Sequence, residues 1–166
     1  ISSLILILIY PFMKRITFWP QAFLGLTFNW GALIGWTSVH AELEVAPILL
    51  YCAGFFWTIG YDTIYALQDK DDDTLIGIKS TARKFGNKTK RWLFCFFSLS
   101  IFLFVLCGHI ENLSWSYFLG LTISFTHLVW QIKTLDINDP KDCSKKFKSN
   151  RDFAFIIFLS IISSKI

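Results

Sequence analysis

The sequence predicts an all-α protein, a multi-pass transmembrane helical bundle of about five to six spans. Three observations predict it. Of 166 residues, 54% are hydrophobic and only 17% charged, with 18 Phe and 7 Trp, and the mean hydropathy is +0.49. A water-soluble domain of this size carries more charge. The apolar residues also fall into continuous runs that approach the ~20 residues a spanning helix needs. A membrane barrel would instead show weaker, alternating segments of about ten residues. Finally, Lys and Arg are confined to every second connection between those runs.

The elements follow in chain order. Ile1–Phe12 reads as the end of an earlier span. Gln21–Ser38, Pro47–Ala66, Trp92–Gly108 and Trp115–Ile132 are candidate spans, and Phe153–Ser164 is a short last one. The first loop carries Lys14 and Arg15. The third carries Lys70, Lys79, Arg83, Lys84, Lys88, Lys90 and Arg91, and the fifth carries Lys141, Lys145, Lys146, Lys148 and Arg151. Between them, His40–Ala46 and His109–Ser114 hold no Lys or Arg. The positive-inside rule therefore puts Lys14–Pro20, Asp69–Arg91 and Asp136–Asp152 on the cytoplasmic side. Trp19, Trp92 and Trp115 suit the interfacial aromatic belt. The net charge of +4 is explained by these loops, so the partner it implies is a lipid bilayer and not nucleic acid.

Cys52, Cys95 and Cys107 lie in apolar runs and Cys143 in a basic segment, without Cys-x-x-Cys spacing. They read as free thiols acting as small hydrophobes. His40, His109 and His127 are scattered and read as structural.

Chemistry concentrates at Asp62-Thr-Ile-Tyr-Ala-Leu-Gln-Asp69-Lys-Asp-Asp-Asp73, an acidic cluster that begins inside an apolar run. Helical positions seven and eleven apart return to within roughly 20° of the starting direction. If the Pro47–Ala66 helix persists, Asp62, Asp69 and Asp73 share one face and Asp71 points away. Ionisable groups at a membrane boundary mark a substrate or ion path, and aligned carboxylates suit a hard divalent cation such as Mg²⁺, held jointly with phosphates. The plainer reading is a solvated acidic turn, which suits Asp71 and Asp72. Lys70, Lys79 and Arg83 stand beside these acids, so metal and polyanion can share one site. Lys79 and Arg83 can equally be topology-setting charges. Ser80-Thr-Ala-Arg83 is a candidate start of a short helix.

Three stretches expected on one side of the membrane carry a resemblance. They are Tyr10-Pro-Phe-Met-Lys-Arg-Ile-Thr-Phe-Trp-Pro-Gln21, the Asp62–Asp73 cluster, and Ile76-Gly-Ile-Lys-Ser-Thr-Ala-Arg83, with Leu24-Gly-Leu-Thr-Phe-Asn-Trp-Gly31 between the first two. In order and spacing they resemble the intramembrane aromatic prenyltransferases of the UbiA superfamily, and within it the 4-hydroxybenzoate polyprenyltransferases of ubiquinone synthesis. The resemblance covers essentially the whole chain.

It implies a helical-bundle enzyme in which two aspartate-rich motifs hold Mg²⁺ and a polyprenyl diphosphate. The polyprenyl group passes to the carbon ortho to the hydroxyl of 4-hydroxybenzoate. Residues 1–166 would form a single transmembrane prenyltransferase domain, N-terminally incomplete. Only the second aspartate motif is present, so the chain by itself is expected to be inactive. Carried over by position, Asp69 and Asp73 become metal ligands. Asp62 assists the metal, contacts the phenol, or is structural. Arg15 binds either diphosphate or benzoate carboxylate. Lys79 and Arg83 contact diphosphate, and Tyr65 borders the reacting carbon or packs. The expected location is a bacterial inner membrane. The alternatives are a sister enzyme using a naphthoate, a homogentisate or a porphyrin, and a non-catalytic truncated membrane protein.

Overall fold

A computed structural model describes residues 2–165, and among them the chain is helical with no strand. The helices are α1 (Ser2–Ile16), α2 (Pro20–Phe28), α3 (Trp30–His40), α4 (Val45–Ala66), α5 (Lys70–Leu75), α6 (Thr81–Phe85), α7 (Thr89–Ile110), α8 (Trp115–Thr134) and α9 (Pro140–Ser163). A 3₁₀ turn, Gly86–Lys88, joins α6 to α7.

The expected apolar runs appear as helices, with three differences. The run Gln21–Ser38 is broken at Asn29, where the backbone leaves the helix. The Asn29 amide donates to Gly25 O at 2.7 Å and to Thr58 Oγ1 at 3.1 Å. The side chain thus competes with the backbone for the preceding turn, as Asn does. Lys14 and Arg15 occupy the last turn of α1 rather than a loop, where cations complement the helix dipole. The basic segment Lys141–Arg151 is helical and continuous with the last span. Asp139 caps it by accepting from Lys141 N at 2.9 Å, and Pro140 supplies the first helical residue.

Side-chain bonds fix the long helices as antiparallel neighbours. Ser100 Oγ donates to Ala53 O at 2.8 Å and Cys107 Sγ to Ala46 O, which aligns α7 against α4. Tyr51 Oη donates to Leu26 O at 2.7 Å and aligns α2 with α4. Gln131 and His127 bond the Lys146–Ser149 turn and align α8 with α9. Gly60 lets α4 and α7 close up, since a Cβ there would overlap the buried Phe97 ring. The core runs between these helices through Ile64, Leu93, Phe97, Tyr117, Leu128 and Phe153.

The outward surface is apolar. Leu4, Leu8 and Phe12 on α1, Phe94 and Phe102 on α7, and Phe155 and Phe158 on α9 are all exposed. So many exposed apolar side chains suit lipid, not water. Two segments, Val45–Ala66 and Thr81–Ile110, are long and apolar enough to cross a membrane by length and composition.

Candidate active site

The acidic cluster begins where α4 stops. Leu67 N and Gln68 N reach back only three residues, to Ile64 O at 3.3 Å and Tyr65 O at 3.0 Å, so the last turn tightens before Asp69. A new helix, α5, starts at Lys70, and Asp73 N donates to Asp69 O at 2.8 Å. The continuous helix that would align Asp62, Asp69 and Asp73 is therefore absent. The tight turn redirects the chain instead, and all three aspartates line one cavity with Tyr65, Lys79 and Lys14. Asp71 is exposed and outside that lining.

The cavity holds about 50 Å³. By the same measure one water needs about 10–15 Å³, so a hydrated ion or phosphate oxygens have room there. Asp62 is 9% exposed, at the inner end. Asp69 is exposed, and Asp73 lies between these extremes. Burial raises the Asp73 carboxyl from its ordinary value; Lys14 and Arg83 oppose the rise, and Asp69 and Asp72 add to it. Among the described residues none of the three carboxylates is in an ion pair. Among the described residues no group of three or more His, Cys, Asp or Glu is close enough to cage a metal by itself. A donor set of separate carboxylate oxygens fits a hard cation that keeps waters and shares phosphate oxygens.

A strap from Gly77 to Ser80 covers one side. Gly77 has φ +76°, the left-handed turn that glycine adopts without strain. The chain then doubles back, with Ile78 N donating to Asp73 O at 2.9 Å and Lys79 N to Lys14 O at 2.8 Å. Lys79 Nζ donates to Ile16 O at 3.0 Å and sits 5.7 Å above the Phe18 ring. Ser80 Oγ caps α6 by accepting from Arg83 N at 3.4 Å. Arg83 Nη1 donates to Asp73 O and to Ile78 O. One nitrogen of the Arg83 guanidinium thus ties the strap to the end of the acidic segment, and Arg83 is outside the cavity lining.

Both Lys14 and Arg15 are exposed, but Lys14 lines the cavity and Arg15 stands outside the lining. Adjacent helical residues differ by about 100° in direction, so one of the pair must turn away. Tyr10, one turn before Lys14, lines the cavity too, as do Gln21 and Ser80. Sequence reasoning missed Tyr10, Lys14 and Gln21. The legible signal was the four-residue spacing of Tyr10 and Lys14, which puts both on one face once α1 extends to Ile16.

From the cavity an aromatic stripe follows α4 at helical spacing. Tyr65 is 42% exposed, and its ring lies 4.9 Å from Phe147 on α9. Tyr61 lies 5.9 Å from Phe147 and 4.9 Å from Trp57. Trp57 in turn borders an apolar cavity of about 240 Å³ together with Phe28, Leu50, Gly54, Phe104 and Ile157. Trp57 Nε1 donates to Asn150 Oδ1 at 3.0 Å, which fixes the indole.

The UbiA prenyltransferase family matches residues 1–162. The chain is 51% identical over 162 residues to a protein of Arabidopsis thaliana named 4-hydroxybenzoate polyprenyltransferase, mitochondrial, covering 97% of this chain and 40% of that protein. Proteins of the same name from Bos taurus and Homo sapiens are 51% and 49% identical over 162 residues. The chain covers 44% of each and is itself covered to 97%. It thus spans about two-fifths of the length of these relatives. A solved apo structure of a UbiA homolog from Aeropyrum pernix K1 superposes with a TM-score of 0.79 at 20% identity. That alignment covers 99% of this chain and 62% of the other, and it shows a shared fold. By the extent of the family match and these identities, the chain belongs to the UbiA prenyltransferase family.

Proposed function

We propose that the protein containing this chain transfers a polyprenyl group from polyprenyl diphosphate to the ring carbon ortho to the hydroxyl of 4-hydroxybenzoate, in ubiquinone biosynthesis. The observation that carries the proposal is the convergence of three aspartates and two lysines on one cavity where the apolar α4 ends. The names of the relatives support the substrates.

Asp69 and Asp73 are the residues that would hold Mg²⁺. When bound, the cation neutralises diphosphate oxygens and makes the diphosphate a better leaving group. Lys14 and Lys79 supply ammonium groups to the same oxygens as charge accumulates on them. The aromatic stripe from Tyr65 to Trp57 gives the prenyl tail an apolar track. Its ring faces stabilise positive charge at the allylic carbon and keep water away. Asp62, at the inner end, orients the phenol through a hydrogen bond to its hydroxyl. The allylic C–O bond breaks as diphosphate departs, the ring's ortho carbon forms a bond to the allylic carbon, and the proton displaced from that ring carbon leaves to a base. Arg83 serves the site by holding the strap, and Arg15 belongs to its outer rim.

The relatives are mitochondrial by name, which favours a mitochondrial membrane over the bacterial inner membrane expected from the sequence. The acidic cavity lies on the side that carries the basic segments.

The test is turnover by the full-length protein in bilayers, with Mg²⁺, a polyprenyl diphosphate and 4-hydroxybenzoate, analysed by mass spectrometry. The expected product is 3-polyprenyl-4-hydroxybenzoate, lost with chelator. Turnover of a naphthoate, a homogentisate or a porphyrin instead would reassign the acceptor, and no transfer to any of them would refute the enzyme reading.

A further inference from the structure

Gln21 is 2% exposed, yet it lines the acidic cavity. Its position is fixed by Pro20, the first residue of α2, and by one hydrogen bond from Thr81 N at 3.1 Å. A backbone N–H can only donate, so the atom facing it must be the carbonyl oxygen Oε1. That settles the amide's orientation, which side-chain shape alone would leave open. Thr81 is itself immobilised: it is fully buried, and its hydroxyl bonds Thr63 Oγ1 at 2.7 Å. Thr63 Oγ1 is anchored in turn on Ile59 O at 2.6 Å.

With Oε1 committed, the two N–H groups of Nε2 remain. No described residue accepts from them, and Nε2 is not among the fully enclosed polar atoms lacking a partner. Gln21 contributes to the cavity lining, and these donors are the polar groups it has left to offer a ligand there. A buried amide with two free donors, locked in orientation, in a cavity that also holds the ammonium of Lys14, suits an oxyanion better than any other ligand.

We propose that Gln21 is a substrate-binding residue whose Nε2 donates to an oxyanion of the bound substrates, a diphosphate oxygen of the prenyl donor or a carboxylate oxygen of the acceptor. This rests on the reading of the cavity as a prenyltransferase site. The chemistry of the two oxyanions is shared, so the experiment separates them.

The full-length protein, purified in detergent with Mg²⁺, is titrated calorimetrically with inorganic pyrophosphate and separately with 4-hydroxybenzoate. Gln21→Glu keeps the acceptor for Thr81 N and removes the donors. Gln21→Met removes the donors without adding charge. The expected result is wild-type melting for Gln21→Glu and at least about tenfold weaker binding of one probe by both variants. The affected probe names the oxyanion. The same variants should raise the KM of the corresponding substrate by a similar factor.

Wild-type binding of both probes by Gln21→Met overturns the proposal, even if Gln21→Glu is weakened, because the added charge then explains the loss. If Gln21→Met does not fold, Gln21→Ala, which also removes the donors without adding charge, decides: binding at wild-type strength overturns the proposal and at least about tenfold loss supports it. A wild-type protein that binds neither probe also overturns it. Failure of the wild type to prenylate 4-hydroxybenzoate, with pyrophosphate binding still weakened in the variants, removes the acceptor assignment and leaves Gln21 standing.

Discussion

Asp69 and Asp73 line the cavity, whereas Asp71 between them is exposed and points elsewhere. Alanine at 69 or 73 in the full-length enzyme should therefore lower turnover by about 100-fold or more, while Asp71→Ala stays within a few-fold. Equal losses at all three, measured as kcat/KM for the prenyl diphosphate, would mean a mobile acidic loop. The neighbours Lys14 and Arg15 divide in the same way. Lys14→Met removes a cation from the cavity and should cost about 10- to 100-fold in kcat/KM. Arg15→Ala should cost far less, because its side chain is outside the cavity lining. Varying each substrate in turn checks this, and a larger loss at Arg15 would return the anion-binding role to it. Both residues stood in one motif in the sequence. Which of them faces the cavity depends on α1 running through to Ile16, and a loop reading of Lys14–Pro20 hid that.

Among the elements, α4 matters most, because it packs on α2, α7 and α9 and carries the aromatic stripe and Asp62. Its contact with α7 depends on Gly60, where any Cβ meets the Phe97 ring. Gly60→Ala should destabilise the bundle by about 1–3 kcal/mol, the usual cost of overpacking a core, read as a lower melting temperature in detergent. Phe97→Leu in the same background should recover part of the loss by making room. The break at Asn29 shows what hydropathy cannot see. The run Gln21–Ser38 is apolar enough for one span, and only the polar bonds of Asn29 to Gly25 and Thr58 divide it. The helical state of Lys141–Arg151 was equally hidden, since charge density marks topology but not backbone conformation. Its cap, Asp139 followed by Pro140, was present in the sequence as a start signal.

At the scale of the whole molecule, the basic segments gather at one end. Lys79 N bonds Lys14 O, which brings the end of α1 against the connection between α4 and α7. Cysteines introduced singly at the exposed positions Lys88 and Lys145 should react with a membrane-impermeant maleimide from the same side, and one at Glu44 from the other. Labelling of all three from one side would break the topology. The sequence by itself determined the helical membrane class, the alternation of basic connections and the family, because these depend on composition and on motifs local in the chain. Only the tertiary structure decided that the aspartates meet across a turn rather than along one helix. It also decided that Lys14 rather than Arg15 faces them, that Arg83 holds the strap, and that Gln21 joins the cavity through Thr81. Gln21 and the end of α1 are placed by bonds to Thr81 and Lys79, distant in sequence, whose partners no local pattern specifies. The turn before Asp69 and the Arg83 bonds are short-range, but hydropathy and charge spacing do not fix where a helix stops or what a guanidinium grips.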